Sequence, residues 1–298
     1  MASVVDVQAR PQARPVVAWW RHTGRHVVRI TVVYILLVAI SVIMLIPLVW
    51  MISTALKSLD QVGIFPPEWI PNPVLWDNFS QALTFMPFAL YFRNTGLITG
   101  FSIIGTLISC SVVAYGFARL RARGREALFL LVLSTLMLPN QVTMIPQYVL
   151  FAKLHWIDTF LPLIVPNFLG NAFFIFLLRQ FMMTIPLEMD EAARIDGAGY
   201  VRIFVRIILP LIKPALATVA IFTFVYNWND FLYPLIYLNS EQNLTLALAL
   251  SKFTGMYGST AWNLLMAASL VVVMPCLLLF FFAQRYFIQG IVVSGLKG

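Results

Sequence analysis

The chain has 298 residues, 60% of them hydrophobic and only 11% charged, with a formal charge of +8, a pI near 9.7 and a mean hydropathy of +0.86. A soluble chain carries about a quarter charged residues, so the polar surface here is too small to clothe a soluble domain, and the composition is that of an integral membrane protein. The basic residues lie in short clusters between apolar runs, with no basic face of interleaved aromatics, which argues against nucleic acid and for juxtamembrane anchors.

Residues 1–30 read as a basic cytoplasmic leader without fixed structure, carrying Arg10, Arg14, Arg21, Arg25 and Arg29. A bilayer core about 30 Å thick takes about 20 apolar residues in a helix. Six stretches qualify: 31–54, 95–118, 127–152, 157–178, 211–233 and 262–283. The first is too long for a signal peptide and has no small-residue cleavage site behind it, so an uncleaved first helix is expected. Pro47, Pro139, Pro166 and Pro275 fall inside spans, where neighbouring helices can satisfy the freed backbone groups.

Residues 55–92 form a Pro- and Trp-rich external loop (Pro66, Pro67, Trp69, Pro71, Pro73, Trp76), in which the tryptophans are expected as interfacial anchors. Basic residues separate cleanly between alternate connections. Sixteen lie in one set, including Arg119, Arg121, Arg123, Arg125, Arg179, Arg194, Arg202, Arg206 and Lys213, against four in the other (Lys57, Arg93, Lys153, Lys252). Basic loops stay inside, so both termini are expected in the cytoplasm.

Proton- or ion-coupled carriers place ionisable groups within the membrane, where each costs about 2.5–3.5 kcal/mol or more. Here only Asp230, near the outer end of the fifth span, comes close. The chain also lacks a G-x-x-x-x-G-K-[ST] phosphate loop. If transport is energised, the energy must arrive through a partner at a cytoplasmic docking surface. Cys110 and Cys276 are not metal-spaced, no disulfide is expected between them, and neither a metal nor a cofactor is expected on the chain itself.

Residues 186–210 supply such a surface. Pro186 opens a short helix with Glu188, Asp190 and Glu191 in its first turns, where the helix dipole favours acids. Ala192, Ala193 and Ile195 give an apolar strip, and Gly197 and Gly199 break the helix. A second helix holds Arg202 and Arg206, and Pro210 and Pro214 lead back into the membrane. The plainer alternative is a solvated connector in which Arg194 pairs with Asp190 or Glu191.

Glu191-Ala192-Ala193, three residues, Gly197, nine residues, then Ile207-Ile208-Leu209-Pro210 reads E-A-A-x3-G-x9-I-x-L-P. This resembles the signature loop of bacterial ABC importer permeases at every fixed position. Leu138-Pro139-Asn140-Gln141, Ile145-Pro146-Gln147-Tyr148, Ile195-Asp196-Gly197-Ala198, Asn227-Trp228-Asn229-Asp230-Phe231, and the end from Phe287-Ile288-Gln289-Gly290 through Gly295-Leu296-Lys297-Gly298 are similar to the maltose-type, multiple-sugar class. The resemblance runs from about Arg93 onward.

The resemblance implies an all-α type I ABC importer permease fold in a bacterial or archaeal inner membrane, with a core over 93–285 and a cytoplasmic tail over 286–298. It further implies a coupling helix docked on an ATPase subunit through Glu191, Ala192, Ala193, Asp196, Gly197, Leu209 and Pro210. Glu191 would face a basic residue there and Gly197 would permit the turn. The tail, with Gln289, Gly290, Gly295 and Lys297, would insert between two ATPase subunits, although its valines and Ser294 depart from the family's small-residue tail. The implied partners are a second, non-identical permease, two ATPase subunits that bind ATP and magnesium, and an external solute-binding protein.

Trp228, Asn229 and Asp230 offer a ring, an amide and a carboxylate for a sugar, and equally the materials of an interface anchor and helix caps. Asn140, Gln141, Asn167 and Asn171 are further polar candidates, or else helix–helix hydrogen bonds worth about 0.6 kcal/mol each. The expected cargo is a sugar. A polyol or glycerol-phosphate-type cargo is the alternative within the class, and a standalone secondary carrier or a non-transporting scaffold the alternatives outside it.

Overall fold

The computed structural model describes residues 17–254 and 260–295, with side chains described over 27–254 and 260–284. Every regular element among them is helical. The chain divides into two units, one ending at Ser53 and one beginning at Thr54. The first holds most of helix α1 (Val17–Ala55), which begins ahead of the expected span start at 31. Residues 1–16 of the leader lie outside the described residues.

The second unit contains α2 (Asp77–Thr84), α3 (Phe88–Arg119), α4 (Arg125–Ser134), α5 (Asn140–Lys153), α6 (Ala172–Met183), α7 (Glu188–Ile195), α8 (Tyr200–Ile203), α9 (Lys213–Trp228), α10 (Leu232–Tyr237), α11 (Leu246–Leu250) and α12 (Trp262–Gly295). In the 55–92 loop the Asn78 amide donates to the Ala55 and Lys57 carbonyls at 2.9 and 2.8 Å, which ties α2 to the chain just past the first span.

Helix α3 is the hub of this unit. Its buried face reads Asn94, Thr95, Ile98, Thr99, Ser102, Gly105, Thr106, Cys110, a three-and-four spacing of small and polar residues. Helices buried in lipid gain little from apolar burial against one another, so small residues that let backbones approach, with hydrogen bonds between them, supply the attraction. Asn94 Nδ2 donates to the Gln242 and Leu244 carbonyls at 2.8 and 3.0 Å, and Thr95 Oγ1 accepts from Leu246 N at 2.9 Å. Ser109 Oγ reaches the Asn167 carbonyl at 3.1 Å. At Gly105 the approach is so close that an added Cβ would lie 2.4 Å from the Phe168 ring.

Four helices are long and apolar enough to cross a membrane singly, and six spans result if each of two bent pairs counts as one. The third expected span is one such pair: residues 125–137 and α5 meet at 96°. Pro139 causes the break, because its ring drives Leu138 into extended backbone (φ −83°, ψ 116°). The fifth is the other, with 200–211 meeting α9 at 76° across Ile212, between Pro210 and Pro214. The fourth stays a single run over Leu161–Met183 but is interrupted at Gly170, whose φ of +93° glycine adopts freely. Asn171 then caps α6, its Oδ1 accepting from Phe173 N and Phe174 N at 3.0 and 3.3 Å.

Candidate functional site

The 186–210 segment folds as the helix–glycine–helix hairpin expected from its sequence. Helix α7 closes with Gly197 in the left-handed region (φ +79°); Gly197 N bonds the Arg194 carbonyl at 3.0 Å and Ala198 N the Ala193 carbonyl at 2.9 Å. That paired closure satisfies carbonyls the helix end would otherwise orphan. No atom lies within 4 Å of a Cβ built on Gly197, so this turn faces open space.

Glu191, Ala192, Asp196 and Gly197 are exposed, and Glu191 makes no ion pair among the described residues. Ala193 instead packs inward at 9% exposure, whereas Ile195 is 87% exposed, so the expected strip of Ala192, Ala193 and Ile195 is split between two faces. Exposed Leu187, Ile195, Tyr200 and Val201 surround the turn. Arg194 does not pair with Asp190 or Glu191; its guanidinium lies over the Tyr200 ring, 4.7 Å from the centroid. The second arm runs through α8, a π-helical turn Phe204–Ile208 and the short helix Leu209–Leu211, with Leu209 half-buried and Pro210 exposed.

The hairpin is fixed to the membrane helices by residues that had counted only as basic anchors or helix-dipole acids. Asp190 is buried and faces Arg119, Oδ2 to Nε 3.6 Å. Arg119 Nη2 donates to the Met182 and Ile185 carbonyls at 2.9 and 2.8 Å. Arg179 reaches the other way, donating to the Phe117 carbonyl at 3.3 Å and pairing with Glu126 at 3.1 Å. The readable signal was spacing: Asp190 and Ala193 share the inward face of α7 three residues apart, leaving Glu191 and Ala192 outside.

A second feature is a cavity of about 1080 Å³ in the second unit. Its wall comes from the break in the third span (Thr135, Leu138, Pro139, Asn140), the interrupted fourth (Asn167, Gly170, Asn171) and the far end of the fifth (Thr223, Tyr226, Asn227, Asp230) together with Tyr233 and Tyr237 of α10. Among the described residues that line it, Asp230 alone is an Asp, Glu, Lys or Arg. Asn140, Asn167 and Asn171 line it; Gln141 is exposed and outside the lining. Asn167 is also a helix–helix link, donating to Ser102 Oγ and the Leu163 carbonyl at 3.1 and 2.8 Å.

Of Trp228, Asn229 and Asp230, only Asp230 reaches the cavity. Trp228 is 4% exposed, donates from its indole to the Val272 carbonyl at 2.9 Å, and packs between Phe92 and Phe224. Its ring therefore belongs to the core rather than to a stacking site for a sugar. Asn229 folds back to the Val225 carbonyl at 2.8 Å. Helix α9 ends at Trp228, so Asn229 and Asp230 leave the helix and need not follow the direction of the Trp228 ring. Asn227, in the last turn of α9, lines the cavity together with Asp230.

The tail residues Gln289, Gly290 and Gly295 continue the backbone of α12, with side chains outside the described residues, and Lys297 lies wholly outside them.

Three comparisons bear on this architecture. The family described as binding-protein-dependent transport system inner membrane component matches residues 102–293. The chain is 35% identical over 231 residues to the arabinooligosaccharides transport system permease protein AraQ of Bacillus subtilis, spanning 76% of this chain and 81% of that one. It is 34% identical over 261 residues to the melibiose/raffinose/stachyose import permease protein MelC of the same organism (85% and 91%). It is 35% identical over 247 residues to the sn-glycerol-3-phosphate transport system permease protein UgpE of Yersinia enterocolitica (80% and 87%). Among solved structures, a chain of a bacterial ABC transporter involved in the import of the acidic polysaccharide alginate superposes with a TM-score of 0.78 at 24% identity, covering 87% of this chain and 96% of that one, a likeness of fold. With the broken spans, the glycine-closed hairpin and these relatives together, the chain belongs to the family of binding-protein-dependent transport system inner membrane components and is a multi-pass permease subunit.

Proposed function

We propose that this permease imports a neutral sugar, and that the cavity beside Asp230 is its passage. The observation that carries the choice is the polar part of the cavity wall: amides, phenols, threonine hydroxyls and one carboxylate, with no cationic side chain among the described residues that line it. Amides and phenols bond hydroxyl groups in either direction. A phosphate or uronate entering the same space would meet Asp230 without a compensating positive charge, at a cost that rises as water is excluded. Two of the relatives carry names of neutral oligosaccharide systems and one that of a glycerol phosphate system; the lining favours the former.

ATP hydrolysis is assigned to separate ATPase subunits docked at Glu191–Gly197, and the pathway is completed by a second permease. A solute-binding protein delivers the cargo on the opposite side. Both termini face the cytoplasm, in keeping with the sixteen-to-four division of Lys and Arg.

Deletion of the coding sequence, followed by uptake of radiolabelled raffinose, an arabino-oligosaccharide and sn-glycerol 3-phosphate, tests this reading. Loss of uptake of a neutral sugar, restored by the wild-type chain, is expected. Loss of glycerol 3-phosphate uptake alone would overturn the cargo assignment.

A further inference from the structure

The hairpin is joined through the chain to α6 and α9, yet it is fastened to a third helix, α3, on both sides of Gly197. Before the glycine, the Asp190 carboxylate faces the Arg119 guanidinium, with side chains 6% and 1% exposed. At 3.6 Å this is a charge pair and not a hydrogen bond, and neither Arg119 Nε nor Asp190 Oδ1 finds a hydrogen-bond partner among the described residues. After the glycine, the Tyr115 hydroxyl donates to the Tyr200 carbonyl at 3.2 Å. Tyr115 and Arg119 are four residues apart and therefore share one face of α3, one turn above the other. Arg119 also grips the Met182 and Ile185 carbonyls, where α6 ends and the hairpin begins.

A hairpin held only by its covalent ends would pass a displacement to α6 and α9. Anchored on both flanks of its left-handed turn, this one passes it to α3 as well. Helix α3 is continuous over 32 residues with no proline, whereas the third and fifth spans are both bent pairs. Its other end bonds Gln242, Leu244 and Leu246 through Asn94 and Thr95. A rigid element engaged at both ends is the physical means by which coupling crosses a membrane.

We propose that Arg119 and Tyr115 are positioning residues that deliver movement of the docking hairpin to α3, which carries it unbroken to the opposite end of the unit. This rests on the permease reading above.

The test uses the full complex of this chain with its permease and ATPase partners in liposomes. Asn140→Cys, in a Cys276→Ser background, reports cavity opening through its labelling rate with a charged, membrane-impermeant thiol reagent; Cys110 is buried. The parent should change its labelling rate when trapped with ATP and vanadate. Asp190→Asn with Tyr115→Phe should abolish that change while the ATPase subunits stay bound and hydrolyse ATP. Tyr115→Phe alone, which keeps the ring packed on Phe204 at 4.9 Å, should weaken it, and Asp190→Glu should restore part of it. The parent's full response in the double variant would overturn the proposal. So would release of the ATPase subunits from the double variant, since the residues would then support docking rather than transmission. A parent complex with no nucleotide-dependent change would count against the permease reading itself.

Discussion

Asp158 shows how much one side chain can organise. Its carboxylate accepts from Asn239 N and Ser240 N at 2.9 and 2.8 Å and from the Ser240 hydroxyl, while its own backbone N–H bonds the Tyr237 carbonyl at 2.8 Å. These bonds, that of the Ser240 side chain foremost, hold its pKa well below the usual carboxylate value. A depressed native pKa means the ionised form stabilises the fold. That contribution is complete above the unfolded pKa of about 3.9 and is lost as pH falls through the native value. The destabilisation caused by Asp158→Ala, read as a Tm difference in detergent, should therefore be largest at neutral pH and shrink below about pH 4. At Gly197 two substitutions separate backbone from docking. Alanine in the left-handed region costs about 1–2 kcal/mol, and aspartate visits that region more readily. If the turn matters as a docking face, Gly197→Asp should reduce ATPase recovery with the tagged chain more than Gly197→Ala does; if only backbone geometry matters, the order reverses.

At the scale of elements, α3 has the most specific packing. Glycine to alanine in a helix interior is normally favourable by about 1 kcal/mol. Gly100→Ala should behave so, since nothing lies within 4 Å of its Cβ, whereas Gly105→Ala must displace the Phe168 ring. Overpacking of this kind costs about 1–3 kcal/mol, so thermal unfolding of the purified complex should rank Gly105→Ala clearly below Gly100→Ala. Sequence made several elements legible for physical reasons. Length and apolarity located six apolar stretches, four of which are single helical runs and two bent pairs, and the spacing from Glu191 to Pro210 located the hairpin. What it left unread depended on direction rather than composition. Pro139 and Pro210 were visible as prolines, but whether a proline kinks a span or breaks it by 96° is decided by the neighbours that satisfy the freed backbone. Trp228 and Asp230 were visible as a cluster, yet the helix ends between them, with the ring buried in the core and the carboxylate in the cavity lining.

For the molecule as a whole, the division of basic residues implied an orientation and the absence of a phosphate loop implied that any energy for transport comes from a partner. The hairpin and the cavity lie on the same α9-bearing span, separated by its apolar middle, and α3 bonds the hairpin through Tyr115 and Arg119 and the lining residue Asn167 through Ser102. One feature of this arrangement bears on how such a chain is made. At Leu138–Pro139 the third span abandons helical bonding, and Met137, Leu138 and Val142 around it are exposed at 83%, 58% and 65%. Irregular backbone at membrane depth is stable only where protein or water covers it, and each uncovered group costs several kcal/mol in hydrocarbon. A newly inserted copy is thus unfinished until a companion subunit or a wetted passage shields that corner. A single proline makes the stability of an isolated copy depend on what covers its corner.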